Sequence, residues 1–342
     1  MNILYLLSGT SIFIITTVDI IKTTLSTKGG GVITNRISKA VWKLFFSMSG
    51  RNGKSTVLEF AGPAVLIMVL LVWIIGLWAG FFLLLLSDGD SIINSTSREN
   101  AMALEKLYYA GFTLSTLGVG DFVASSNSWR ILTSSMAFTG LVFITTSITY
   151  FLPVLSAVNL QSNLSLYISS MGRTPQEMVI KSWNGGNFSS FFDCVPNMCQ
   201  MLIKHTLNHH SYPIIHYFHN KEPKQAIIVQ VVMLEEVYYL LRQVVSTEVT
   251  LDEVKMTMLR TALDTYFSLV KKNFIQEETS QKYPPSPELA PLLQSGIPVK
   301  QEASINQGNG QQQQDNRNIL TALLGSDGWS WQEVYPTKDI VG

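Results

Sequence analysis

Twenty-three consecutive residues, Ala64 to Leu86, carry no charge and almost no polarity. A helix of that length crosses about 30 Å of hydrocarbon. In lipid every backbone N–H and C=O must find its partner within the protein, so such a segment commits the chain to a spanning helix. Ile131 to Val158 is a second uncharged segment, rich in hydroxyls. Residues 1–21 form a third, interrupted by Asp19 and several Ser and Thr. A cleaved signal peptide opens with Lys or Arg and closes on small residues. Neither is present, which predicts a retained anchor. The composition agrees: 46% of the residues are hydrophobic and 14% charged, against about a quarter charged in soluble chains. With 342 residues there is room for a membrane unit and one water-soluble domain.

Orientation follows from the basic residues. Between Lys22 and Phe60 stand Lys22, Lys28, Arg36, Lys39, Lys43, Arg51 and Lys54, opposed only by Glu59. Basic loops stay on the cytoplasmic side, so this linker faces inward and the N-terminus outward. The next span delivers Asp88, Asp90, Glu99, Glu105 and Asp121 to the outer side. The following span returns the chain and leaves its remainder in the cytoplasm. The expectation is a multi-pass protein of the plasma (cell or inner) membrane, in contact with the lipid bilayer. Asn94-Ser95-Thr96 is a glycosylation sequon that has meaning only in a secretory-pathway host.

Between the two strongest spans lies Thr113-Leu-Ser-Thr-Leu-Gly-Val-Gly-Asp121. Non-helical backbone at membrane depth is tolerated only where protein buries it or where it lines a watery path. Thr-x-Gly-x-Gly is suited to turning backbone carbonyls toward a dehydrated cation, and glycines at alternate positions admit angles that side chains forbid. Tyr108, Tyr109, Ala110, Gly111 and Phe112 precede this stretch without a gap. Together these residues resemble the pore segment and selectivity filter of the potassium channel superfamily.

The resemblance implies an all-α membrane protein: a tetrameric pore-loop channel with an outer helix (64–86), a pore helix (99–114), a filter (116–120) and an inner helix (131–158), plus an extra N-terminal transmembrane helix and an α-helical cytosolic domain. Carbonyls of Thr116, Leu117, Gly118 and Val119 and the Thr116 hydroxyl would then form rings of oxygen from four chains, closed by Gly120, with the pore-helix dipole aimed at the ion. Tyr108, Tyr109, Thr113 and Asp121 are expected to support the filter, Asp121 either attracting cations or pinning the loop. Gly140 reads as a gating hinge or as a site of close helix packing. Pro153 bends the helix at a gate or ends the span. Thr145, Thr146 and Thr149 line a cavity or bond back to their own helix. One departure stands out: Val119 occupies the position usually held by Tyr or Phe, and Leu117 that of Val or Ile. A Val cannot donate the hydrogen bond that anchors a Tyr there, which bears on strict potassium selectivity. The permeant species implied is a monovalent cation, potassium before sodium, with no cofactor.

Beyond the last span, Thr174-Pro175-Gln176-Glu177 and Thr250-Leu251-Asp252-Glu253 read as capping boxes opening helices, the second running to about Asn273. Ile227, Val231, Leu234, Tyr238, Leu241 and Val245 repeat at spacings of four and three, as a helical-domain core or a short subunit seam, the core being favoured. Residues 276–317, rich in proline, glutamine and charge and including Gln311 to Gln314, predict a disordered linker. The apolar end, Asn318 to Tyr335 with Trp329 and Trp331, should dock. The domain plan is therefore an N-terminal transmembrane anchor (1–22), a cytosolic basic linker (23–61), the pore domain (62–160), a cytosolic helical domain (161–275) and a disordered tail with an apolar end (276–342).

Several motifs fall short. Gly50-Arg51-Asn52-Gly53-Lys54-Ser55 lacks the glycine spacing of a phosphate loop. His205 and His209, with His210, His216 and His219 nearby, lack the Glu of a His-Glu-x-x-His metal site. Cys194 and Cys199 read as ordinary thiols. No Gly-x-Gly-x-x-Gly signals a nucleotide cofactor. Nothing points to nucleic acid, to a metal or to catalytic residues, and an enzyme is not expected. Voltage sensing is not expected either, since no span carries spaced arginines. Two other classes stand against a homotetrameric channel. Transporter subunits with related pores fuse four repeats and usually keep one filter glycine, whereas this chain has one repeat and both glycines. A membrane-anchored interaction protein without conduction would make the motif a coincidence. Within the channel class, a weakly selective potassium and sodium pathway is the alternative.

Overall fold

The computed structural model of the chain describes residues 2–26, 29–274, 285–300 and 311–336. It separates into two compact units. The first comprises Met1–Val41, Pro63–Leu155 and Ser211–Ile214, the second Trp42–Gly62, Ser156–His210 and Ile215–Gly342. Three helices among the described residues are long and apolar enough to cross a membrane: α1 (Ile3–Leu25), α4 (Ala61–Leu86) and α6 (Asn127–Met171). Between α1 and α4 lie α2 (Val32–Met48) and the single turn α3 (Thr56–Glu59), so the basic linker is largely helical.

Asp19 does not interrupt α1. It is buried, and its carboxylate accepts from the Ile33 and Thr34 amides at 2.8 and 3.1 Å, the Thr34 hydroxyl at 2.6 Å and the Trp73 indole at 3.1 Å. A buried carboxylate is costly only while its acceptors stay empty, and the start of α2 and the middle of α4 fill them. Small residues let α1 and α4 approach closely: a Cβ on Gly80 would lie 2.9 Å from the Phe13 backbone nitrogen.

After α4 the chain forms β1 (Ile92–Asn94), the short helix α5 (Ala103–Leu114) and β2 (Phe122–Ala124). The strands pair antiparallel, Ile92 opposite Ala124 and Asn94 opposite Phe122, and so close the base of the excursion between α4 and α6. The pore helix was expected over 99–114 but begins at Ala103. Residues 99–101 are held by the strand instead, where the Asn94 amide donates to the Glu99 carbonyl and the Ala101 amide to that of Ile92. The inner helix was expected over 131–158 and extends over all 45 residues of α6. Pro153 lies inside it and does not end it; the donor it removes and the carbonyl its ring crowds are confined to one turn. At about 1.5 Å per residue α6 is roughly 68 Å long, over twice the hydrocarbon thickness. The pore-domain boundary near 160 therefore falls in mid-helix.

The second unit contains α7 (Pro175–Ser182), α8 (Ser189–Ser211), α9 (Ile227–Tyr239), α10 (Glu253–Phe274), α11 (Ala290–Gln294), α12 (Gln311–Ser326) and α13 (Trp331–Val334). Thr174 caps α7, accepting from the Glu177 amide at 3.0 Å, with Pro175 as the first helical residue. The cap of α10 is Asp252, not Thr250: its carboxylate accepts from the Lys255 amide at 3.1 Å. Helix α9 is buried on nearly every side, and the residues at spacings of four and three all belong to, or pack on, the core of this unit. That favours the domain-core reading over a subunit seam.

The expected disordered tail is ordered where it is described. Leu292 and Ile297 are buried, Val299 bridges Val245, and Gln311 to Gln314 open α12. Apolar residues scattered among the prolines and glutamines supply the anchors. Leu320, Leu323, Leu324, Trp329 and Val334 complete the same core. The remaining parts, 276–284, 301–310 and 337–342, lie outside the described residues.

Candidate functional site

Helix α5 is fixed from several directions. Glu105 accepts from the Met102 amide at its start. Lys106, buried, donates to the carbonyls of Leu85, Asp88 and Gly89 at 3.2, 2.6 and 2.9 Å, so its charge closes the C-terminal end of α4. The Trp78 indole donates to the Leu107 carbonyl at 2.9 Å, and the Tyr109 hydroxyl to Thr133 on α6 at 3.0 Å. Tyr109, Ala110 and Phe112 pack with Phe81, Leu85 and Met136 in one apolar cluster. Asp88 accepts from the Trp129 indole at 2.8 Å; that bond, outweighing partial burial, holds its carboxyl below the usual carboxylate range.

The chain leaves α5 through a tight turn, the Thr116 amide donating to the Thr113 carbonyl at 3.0 Å and the Leu117 amide to that of Phe112 at 2.9 Å. Then φ is positive at every second residue: 59° at Thr116, 60° at Gly118 and 85° at Gly120. Left-handed angles are uncommon for residues with a side chain. A uniform strand aims successive carbonyls to opposite sides, whereas alternating handedness can turn them to one side. Within the single chain no atom of the described residues lies within 4 Å of the place a Cβ would occupy on Gly118 or Gly120, so the backbone angle, not crowding by the chain itself, selects glycine there. Residues Ser115 to Gly120 are exposed in the single chain, Leu117 by 70% and Val119 by 51%.

Behind this stretch is a concavity of about 700 Å³ lined by Tyr109, Phe112, Thr113, Thr116, Gly118 and Gly120 and by Arg130, Thr133, Ser134 and Ala137 from α6. The buried Thr113 hydroxyl has no hydrogen-bond partner among the described residues. Tyr108 is half-exposed and meets Phe112 and Phe122 edge-on. The Asp121 carbonyl accepts from the Ser95 amide at 2.8 Å and its carboxylate from the Phe122 amide at 3.0 Å, contacts that pin the loop.

Gly140 sits where α6 meets the end of α5. A Cβ there would collide with the Leu114 carbonyl oxygen and lie 2.7 Å from its carbon. The helix runs unbroken through this point, so its glycine serves close packing in this conformation. Thr145 and Thr149 bond back to the carbonyls of Leu141 and Thr145. Those two hydroxyls, Thr146 and Pro153 lie farther along α6 and do not line the concavity. Lys106, Trp78, Thr133 and the Asp88–Trp129 pair went unread in the sequence. A lone cation in a mostly apolar helix was the available signal for Lys106; the other three offered none.

The ion-channel family model matches residues 68–157, which takes in most of α4, the whole excursion and the first part of α6. An uncharacterized membrane protein of Bacillus subtilis (strain 168), YdjJ, is 30% identical over 338 residues, covering 97% of this chain and 97% of that protein. The chain belongs to one family with YdjJ, and its residues 68–157 carry an ion-channel domain. No solved structure matches it. Within this chain, the family match coincides with the elements that carry α5 and the residues of alternating φ, and the similarity to YdjJ extends through the helical second unit.

Proposed function

We propose that this channel passes monovalent cations, potassium in preference to sodium, through a pore assembled from four copies, with Thr116 to Gly120 as its filter. The observation that carries this reading is the run of positive φ at Thr116, Gly118 and Gly120, directly after a helix anchored from α4 and α6. Such a run can present a column of carbonyls in place of an ion's water. One strand cannot surround an ion, and the exposed Leu117 and Val119 side chains call for neighbours, which further copies supply. On this reading the N-terminus lies outside, the filter enters from the outer side, and the second unit is cytoplasmic.

Val119 favours a softer selectivity than a Tyr at that position confers, because it contributes neither ring volume nor a hydroxyl to hold the filter wall. The test is potassium flux into proteoliposomes loaded against a gradient. Gly118→Val forces a β-branched side chain onto a left-handed φ, at a cost of about 1–3 kcal/mol per strained residue. We expect flux to fall to background while the assembled particle keeps its size. Undiminished flux through Gly118→Val would remove the filter from this stretch.

A further inference from the structure

The loop 50–55, which leads through α3 into α4, is gripped by the far end of the chain. The Gly53 amide donates to the Gly328 carbonyl at 2.9 Å, and Lys54 lies 3.2 Å from Glu333. Two glycines permit the approach. A Cβ on Gly53 would enter the Trp329 ring at 2.8 Å, and one on Gly328 would strike the Arg51 carbonyl oxygen, also at 2.8 Å. Between the two stretches stands His219, its side chain 1% exposed. Nε2 lies 2.6 Å from the Gly53 carbonyl oxygen and Nδ1 3.7 Å from an Asp327 carboxylate oxygen. The ring stacks on Trp329 at 5.5 Å and 15°, with Trp42 on another side at 6.2 Å.

Both polar partners of His219 are acceptors. A neutral imidazole has one N–H, so it serves one of them and turns a lone pair toward the other; only the imidazolium serves both. The stacked indole also favours a cation. Burial disfavours the charge, yet the Asp327 carboxylate, the Gly53 carbonyl and Glu59 together outweigh it and raise the imidazole above its ordinary value of 6.5. The Asp327 carboxylate also acts on His216 and on the buried Tyr266. Lys221 engages Glu59 at 3.4 Å, Lys54 engages Glu333, and His216 is held toward its neutral form, chiefly by burial.

We propose that His219 is a proton-operated latch: as imidazolium it ties residues 325–333 to the loop 50–55, and losing its proton frees that segment from the loop. With the latched form binding its proton more tightly than the free form, the tie is fully present below the ordinary histidine range and weakens as pH rises through the raised value. Release is therefore alkaline, and it acts on the stretch of chain that enters α4. The latch does not depend on which ion the pore carries.

Hydrogen–deuterium exchange of the full-length protein in detergent tests it without any need for conduction. Exchange is followed at about pH 6 and about pH 9, corrected for intrinsic chemical rates, with α9 as a control for the core. We expect uptake over 50–55 and 325–335 to rise together by about threefold or more at the higher pH while α9 stays protected. His219→Gln should show high uptake at both pH values, and Asp327→Asn should weaken protection at the lower pH and flatten the dependence. Equal protection at both pH values in the parent overturns the proposal, as does the same pH response surviving in both variants. Should His219→Gln lose protection in α9, Asp327→Asn decides the matter.

Discussion

At the scale of single residues, left-handed φ at three alternate positions, Thr116, Gly118 and Gly120, distinguishes residues 115–120 of this chain from an ordinary loop. Two are glycines that meet no neighbour within the single chain where a Cβ would be, so their identity is dictated by backbone geometry. Val119 between them is half-exposed on its own chain. Val119→Tyr should therefore raise the potassium-to-sodium permeability ratio, by about threefold or more, since roughly 0.7 kcal/mol of added preference for the larger ion suffices for that. Bi-ionic reversal potentials of parent and variant measure it. A lowered ratio with reduced conductance would mean that the ring overfills its site. The Gly-x-Gly pattern was legible because glycine alone signals such angles. The left-handed Thr116 was not, since Thr has no preference for that region. The donors that satisfy the buried Asp19 carboxylate, likewise, come from residues up to 54 positions away and leave no local trace.

At the scale of elements, spans were legible because lipid imposes length and apolarity on every spanning helix, and their ends were not. Pro153 is a reasonable sequence stop, yet α6 passes through it because the loss of one donor is local. The start of α5 depends on strand pairing between Ile92 and Ala124, which no residue near 100 announces. In the second unit, α8 carries His205 fully buried, 5.9 Å from the rings of both His209 and Tyr266, with neither nitrogen bonded to a partner among the described residues. Burial, with a smaller contribution from His216, lowers its pKa to about 4. The unfolded ring takes a proton near 6.5 and the folded ring only near 4. Stability is thus intact above pH 6.5 and falls as pH drops through this window, by about 3 kcal/mol for this group alone. His205→Leu should make the unfolding midpoint of the purified protein less sensitive to acid between those values. An unchanged acid sensitivity would count against the assignment. This acid response runs opposite to the alkaline release at His219.

At the scale of the whole molecule, the ion-channel family match and the full-length similarity to YdjJ agree with a chain whose membrane unit and helical unit occur together. The sequence pattern predicted the three candidate spans well, because an uncharged apolar run of that length leaves few alternatives to a helix. It underestimated the tail: Arg317, forming paired bonds of 3.0 and 2.8 Å with the buried Glu236, and Tyr335 on the same carboxylate anchor a segment whose composition resembles a flexible linker. Composition averages over a stretch, whereas one buried ion pair and a few apolar contacts are enough to order it. The proposed function rests on Thr116 to Gly120, repeated in four copies, conducting and selecting cations. Single-channel recording in a planar bilayer, with potassium on one side and sodium on the other, tests it most directly. We expect discrete currents whose reversal potential is displaced from zero in the direction set by potassium, by tens of millivolts at about tenfold selectivity, and which vanish in Gly118→Val. Currents reversing at zero, or no currents from the assembled parent protein, would contradict it.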